Sequence, residues 1–174
     1  LYEVFKSYGF TEWNDVVDLL DAESGKQVFS ETHRLIKNRA HLLLSDRTPG
    51  ASLTISISEI DSQVSIPSGT LLFDEVDVVD KQQTHIIFLD KDTLQFPLVL
   101  RKKQDGDTFY PSGMSGKKKL SKYFKDEKLS LIDKEHVWLL CSNDHIVWVV
   151  GKRADNRFKV TENTKDILKI ELKS

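Results

Sequence analysis

The strongest constraint in this 174-residue sequence is the shortness of its apolar runs. Leu53-Thr54-Ile55-Ser56-Ile57-Ser58 alternates apolar and polar residues, which places one face on a core and the other in water. Further strand-like segments are expected at 70–79, 85–89 and 97–100, with turns at Pro67-Ser68-Gly69 and Lys81-Gln82-Gln83. This middle third therefore reads as a small antiparallel β system.

The flanking thirds are mixed. Residues 1–8 and 12–22 carry helical spacing, with Thr11 or Asn14 as a candidate cap and Ser24-Gly25 as the stop. Segments 27–36 and 41–45 read as a hairpin joined by Lys37-Asn38-Arg39-Ala40, and Thr48-Pro49-Gly50 reads as a break. Near the other end, 117–124 places Leu120, Tyr123 and Phe124 on one helical face. Lys117, Lys118, Lys119, Lys122 and Lys125 occupy the other. Segments 138–141 and 146–150 form a buried hairpin through Asn143-Asp144. One helical turn at 164–168 and a final alternating strand at 168–172 complete the expectation. No internal repeat or low-complexity stretch is visible.

Net charge is −2, but its distribution is uneven. Residues 1–100 hold 8 Lys+Arg against 16 Asp+Glu, whereas 101–174 hold 17 against 11. A basic concentration in an acidic chain suits a local polyanion-binding face, and a solvated lysine surface is the bland alternative. No apolar run approaches the roughly 20 residues needed to span a bilayer, and no signal peptide is visible. The single cysteine, Cys141, excludes an intrachain disulfide and is consistent with a reducing cytoplasm. The start at Leu1 suggests a piece of a longer protein.

Catalytic signatures are missing. There is no GxxxxGK[ST] loop, no GxGxxG and no HExxH. The five histidines are scattered singly, Cys141 sits in an apolar run, and the acid pairs Asp74/Glu75 and Asp90/Asp92 occupy turn-like or strand-edge sequence. No metal-ligand set and no catalytic residue is assigned.

The informative segment is 97–128. A basic strand end at Arg101 meets a Gly106-Asp107 turn, and a loop containing Gly113 and Gly116 then leads into the lysine-rich stretch. Glycines permit close backbone approach. Cations at a helix start oppose the helix dipole, which is reasonable if they face phosphates. This combination suits backbone contacts to a nucleic acid rather than base readout. Arg153, Arg157 and Lys159 form a second basic cluster.

These same segments carry a family resemblance. Phe96-Pro97-Leu98, Arg101, Gly106-Asp107-Thr108-Phe109-Tyr110-Pro111-Ser112-Gly113-Met114-Ser115-Gly116-Lys117-Lys118-Lys119-Leu120 resembles the signature of the tRNA(Ile)-lysidine synthetase (TilS) C-terminal domain. Ile146-Val147-Trp148-Val149-Val150-Gly151-Lys152-Arg153-Ala154-Asp155-Asn156-Arg157-Phe158-Lys159-Val160-Thr161 resembles a second block of that family, and 24–39 resembles the end of its central helical domain. The resemblance implies an enzyme that, with ATP and Mg, adenylates the wobble cytidine of tRNA(Ile), after which lysine displaces AMP. In the family that chemistry lies in an N-terminal domain with an SGGxDS loop, which this sequence lacks. The implied role here is to grip tRNA(Ile) through its phosphate backbone near the acceptor stem, without catalysis, in the cytoplasm and with no membrane.

The resemblance also implies the fold. An α+β chain is expected, with an N-terminal helical remnant and hairpin over 1–46. A β-sandwich of SH3-like character with short helices, similar to a phenylalanyl-tRNA synthetase β-subunit domain, is expected over 47–174. Carried over position by position, the RNA-binding candidates are Arg101, Lys117, Lys118, Lys119, Lys122, Arg153, Arg157 and Lys159. Gly106, Gly113 and Gly116 shape the loop, Asp107 orders it, and Phe109, Met114, Leu120, Phe124 and Trp148 are expected in the core. Residues 128–136 are less basic than the family's pattern and are left out of the site. The competing reading is a protein-interaction module, such as a homodimerisation domain built on exposed strand edges.

Overall fold

A computed structural model describes residues 1–47 and 53–174, so the break expected at Thr48-Pro49-Gly50 lies outside the described residues. The chain divides into two compact units. One is Leu1–Ala51 with Lys128–Glu135, and the other is Ser52–Glu127 with His136–Ser174.

In the first unit, helix α1 (Tyr2–Phe5) runs into a 3-10 turn at Lys6–Tyr8, and helix α2 covers Trp13–Asp18. Glu12 occupies the cap position of α2 without a side-chain hydrogen bond, so neither Thr11 nor Asn14 caps it. Phe10, Val16, Leu19 and Leu35 make this unit's buried cluster. The expected hairpin at 27–45 is instead a three-stranded meander of β1 (Gln27–Phe29), β2 (His33–Asn38) and β3 (His41–Asp46). The extra turn forms because Ser30 offers a local alternative to the ladder. Its hydroxyl accepts from the His33 amide at 2.9 Å and donates to the Tyr8 carbonyl at 2.7 Å. Lys37 and Asn38 lie in β2, and the connection to β3 is only Arg39-Ala40, with Arg39 at φ 54°.

The second unit is antiparallel throughout. Its strands are β4 (Ile55–Ile57), β5 (Gln63–Ile66), β6 (Gly69–Val76), β7 (Ile86–Asp90), β8 (Leu98–Arg101), β9 (Thr108–Phe109), β10 (Lys118–Lys119), β11 (Leu139–Ser142), β12 (His145–Val149), β13 (Arg153–Ala154) and β14 (Ile167–Lys173). A five-stranded sheet runs β13-β12-β11-β8-β4, a four-stranded sheet runs β5-β6-β14-β7, and β9 pairs with β10. Ile57, Leu100, Leu140 and Trp148 from the first sheet meet Leu71, Ile87, Leu89 and Ile170 from the second in one core. Alternation explains it: along β14, Leu168 and Ile170 are buried while Lys169 between them is not.

Several expectations shift. Strand β5 is not among the expected elements, because Gln63 and Ser65 dilute its two apolar residues. It is fixed by pairing with β6 through a turn at Gly69, where an added Cβ would collide with the Lys173 carbonyl oxygen. β6 stops at Val76, three residues short of the expected end. The helical turn expected at 164–168 does not form. Thr164 closes a turn by accepting from the Thr161 amide at 2.9 Å, and Ile167 already pairs with Val76 and Asp90. The hairpin through Asn143-Asp144 is present as β11 and β12, with Asn143 at φ 51°.

The helix expected over 117–124 is α3 (Leu120–Asp126), displaced toward the C-terminus. Lys118 and Lys119 are drawn into β10 opposite Phe109 and Thr108, and the Leu120 amide donates to the Asp107 carbonyl at 2.9 Å. Three of the lysines therefore precede the helix rather than lining its first turn. Helix α4 (Leu131–His136) follows, opened by a reciprocal Ser130–Asp133 hydrogen-bonded box. Its Glu135 groups with the first unit, where it pairs with Arg34.

Candidate nucleic-acid interface

The candidate site lies wholly within the second unit. Its base is an aromatic and aliphatic anchor: Phe109, Leu120, Tyr123 and Phe124 are buried, and the Phe109 and Tyr123 rings meet edge-on at 5.1 Å. Fixing Phe109 and Leu120 in this anchor pins both ends of the intervening loop, 110–119. Gly113 and Gly116 adopt φ 77° and 78°, a left-handed conformation that a side chain would strain. Met114, expected in the core, is 42% exposed at the tip between them. Left-handed turns at Gly113 and Gly116 flank it, and the side chain stays partly in water rather than entering the core.

The two sequence motifs meet along this loop. The Ser112 amide donates to the Ala154 carbonyl at 2.9 Å, and the Asn156 amide donates to the Tyr110 carbonyl at 2.7 Å. Arg153 Nη1 donates to the Ser112 carbonyl at 3.2 Å. Asp155, fully buried, accepts from the Tyr110 amide at 2.8 Å. It also accepts from Arg157 through its backbone amide, Nε and Nη2, at 2.8–3.0 Å. The Arg157 guanidinium then lies over the Tyr110 ring, 4.5 Å from its centroid.

The basic candidates sort into two groups. Arg101 makes a two-pronged pair with Asp107 at 2.8 and 2.9 Å, both side chains largely buried, at 14% and 10% exposure. Asp107 also accepts from the Gln104 amide at 2.8 Å, closing the turn that contains Gly106 at φ 84°. Burial raises the Asp107 carboxyl, but hydrogen bonds from Arg101 and Gln104 outweigh it and hold the group below the usual carboxylate range. The same hydrogen bond raises the Arg101 guanidinium. Lys118 pairs with Asp126 at 2.7 Å and lies over Tyr123, and Arg157 pairs with Asp155. By contrast, Lys117, Lys119, Lys122 and Lys159 are exposed, and among the described residues no ion pair engages them. Lys125 is exposed likewise.

Sequence reasoning left out three participants. Asp155 is one: an acid two residues before an arginine, read only as part of a matched block. Tyr110, the surface beneath Arg157, is another, and its signal was an aromatic residue interleaved with basic segments. The third is Lys102, whose ammonium sits 4.2 Å from the Trp138 ring centroid and donates to the His136 carbonyl at 3.0 Å. Burial lowers its pKa. Cys141 is fully buried and burial pushes its thiol up to about 11, which leaves it a protonated, unreactive core residue. No group of three or more His, Cys, Asp or Glu side chains converges to hold a metal ion among the described residues.

A two-sheet antiparallel unit bearing a glycine-hinged cationic loop defines a class of fold, and that fold has a solved counterpart. A structure described as the crystal structure of TILS C-terminal domain superposes with a TM-score of 0.58 at 19% identity, over 70% of this chain and 99% of the other. Residues 1–47 match the family model for the TilS substrate binding domain, and residues 98–172 match that for the TilS substrate C-terminal domain. The tRNA(Ile)-lysidine synthase of Parabacteroides distasonis is 44% identical over 173 residues, covering 97% of this chain and 40% of the relative. That of Bacteroides thetaiotaomicron is 35% identical, covering 97% and 38%. The chain belongs to the TilS family, and it spans about 40% of the length of these relatives.

Proposed function

We propose that this chain supplies the substrate-holding part of a tRNA(Ile)-lysidine synthase, with the ATP-, magnesium- and lysine-dependent chemistry carried by residues outside these 174. The observation that supports this best is the group of exposed lysines around one pinned loop, Lys117, Lys119, Lys122 and Lys159, which carry no ion pair among the described residues. A chain of net charge −2 that leaves those cations exposed and outside any ion pair among the described residues has a surface ready for an external polyanion. Arg153, half-buried, lies at the loop's edge. The mode of contact is phosphate-directed and sequence-tolerant. Residues 47–174 are proposed as the RNA-gripping domain and 1–46 as the end of the domain preceding it.

Titrating the chain with a tRNA(Ile) transcript at several salt concentrations tests the reading. Affinity is expected to fall with salt, the logarithmic slope reporting about 0.9 per phosphate contact on duplex. A salt-independent or undetectable interaction sinks it, and a concentration-dependent dimer without RNA binding favours the interaction-module reading instead.

A further inference from the structure

We propose that Asp155 is a positioning residue of the RNA-facing loop, acting through Arg157 and Tyr110; the proposal rests on the tRNA-binding reading given above. A carboxylate with no exposure is costly unless its hydrogen-bonding capacity is filled. Here it is filled from two directions. Oδ2 takes the Tyr110 amide at 2.8 Å and Arg157 Nη2 at 2.9 Å, while Oδ1 takes the Arg157 amide and Nε at 2.8 and 3.0 Å. One side chain thereby joins the backbone where the glycine-hinged loop departs to the guanidinium that covers that loop's first ring. Arg157 Nη1 also lies 3.3 Å from His145 Nδ1, which accepts from it when that ring nitrogen carries no proton.

That arrangement assigns Arg157 a different task from Lys119. A guanidinium whose Nε and Nη2 are bound to Asp155 and whose face lies over Tyr110 has its best donor edge turned inward although its side chain is 34% exposed, so its main task is to hold Tyr110. Tyr110 and Ser112 are in turn tied by backbone bonds to Asn156 and Ala154. The residues that follow, 113–119, contain Lys117 and Lys119, whose placement depends on this anchorage. Asp155 thus sets where the free lysines stand without touching RNA itself.

Four variants of the 174-residue chain, Asp155→Asn, Arg157→Lys, the two combined and Lys119→Glu, decide the matter by tRNA(Ile) titration at several salt concentrations, below each variant's Tm. In D155N the introduced carboxamide would still accept from the Tyr110 amide but would present its NH2 group badly to Arg157. This variant is therefore expected to weaken binding about tenfold and to lower the salt slope by about one contact. Lysine keeps the charge at 157 but not the two-edged pair or the stack. Positioning therefore predicts that R157K binds as poorly as D155N, and that the double variant binds no worse than either. Wild-type affinity and slope in R157K overturn the proposal, and R157K alone decides if D155N fails to fold. A D155N loss of Tm with unchanged affinity and slope overturns it as well, as do additive losses in the double variant. Lys119→Glu separates the two levels: salt-independent or undetectable binding by the unsubstituted chain sinks the RNA-binding reading itself, whereas measurable wild-type binding that Lys119→Glu leaves unchanged removes the free lysines as contacts and the role of Asp155 with them.

Discussion

Arg101 and Lys119 carry the same formal charge in the same cationic segment, yet the fold treats them oppositely. Arg101 is folded inward onto Asp107, and with Gln104 it closes the Gly106 turn. Lys119 stands in β10 with its side chain exposed and no ion pair among the described residues. The same division separates Lys118 and Arg157 from Lys117, Lys122 and Lys159. Formal charge therefore overstates the charge available to a ligand. Cations with an internal partner build the surface, and those without one give it its field.

The sharpest way to break this distinction is Arg101→Ala. Removing one member of a mostly buried pair leaves Asp107 uncompensated, a loss expected at about 3 kcal/mol in chemical denaturation. Below its Tm the variant should bind tRNA within about twofold of wild type, since counterion release depends on cations that reach phosphate. A stable Arg101→Ala protein with lost RNA affinity would place Arg101 among the contacts. The pair also fixes a pH dependence. The Asp107 carboxyl is held low in the folded state, so its contribution is present above the ordinary carboxyl range, near about 4, and disappears as pH falls through the lowered folded value. Acid unfolding followed by circular dichroism should therefore have a shallower acid limb in Asp107→Asn than in the wild type.

Lys119→Glu tests the other group. Reversing an exposed charge should alter stability by no more than about 0.5 kcal/mol. In filter binding it should cost about tenfold in tRNA affinity at moderate salt and flatten the salt slope by about one contact. If Lys119→Glu unfolds the chain while binding survives in the folded fraction, the free lysines are structural after all.

Much of the fold is legible in the sequence, and the misses share a cause. Apolar alternation locates β4 and β14, because a half-buried strand writes its burial directly into period two. By contrast, β6, β7, β8, β11 and β12 are read from short apolar runs between turns, and β11 and β12 are buried along almost their whole length. Strand β5 is invisible because its pairing with β6, not its composition, makes it a strand. The start of α3 is misplaced for the same reason: Lys118 and Lys119 suit a helix locally, but Phe109 and Thr108 recruit them into a ladder. At the site, the basic positions can be read from composition and motif. Which of them are already partnered cannot, since Asp126 meets Lys118 only once β10 and α3 are in place, and the acid two residues before Arg157 reads equally well as a solvated turn residue. Met114 shows the limit from the apolar side: hydrophobicity marks it as core, and the two left-handed glycines around it turn it outward.

The gentlest test moves a residue from one group to the other. Lys118 is bound to Asp126 at 2.7 Å, and the lysine lowers that carboxyl's pKa through the hydrogen bond. Asp126→Asn removes the partner without touching the lysine. The Asp126 side of the pair is 48% exposed, and an ion pair open to water on its acidic side contributes little to stability, so the fold should be unchanged. Lys118 becomes available beside Lys117 and Lys119, and the local negative charge drops by one. Binding of tRNA should therefore tighten about two- to threefold at low salt, with a slightly steeper slope, and the gain should vanish at high salt, where screening shortens the reach of each charge. An unchanged affinity would mean that Lys118, 17% exposed and lying over the Tyr123 ring, is held inward by packing rather than by its carboxylate. In that case internal placement, and not charge pairing, divides the lysines that build this surface from those that project from it.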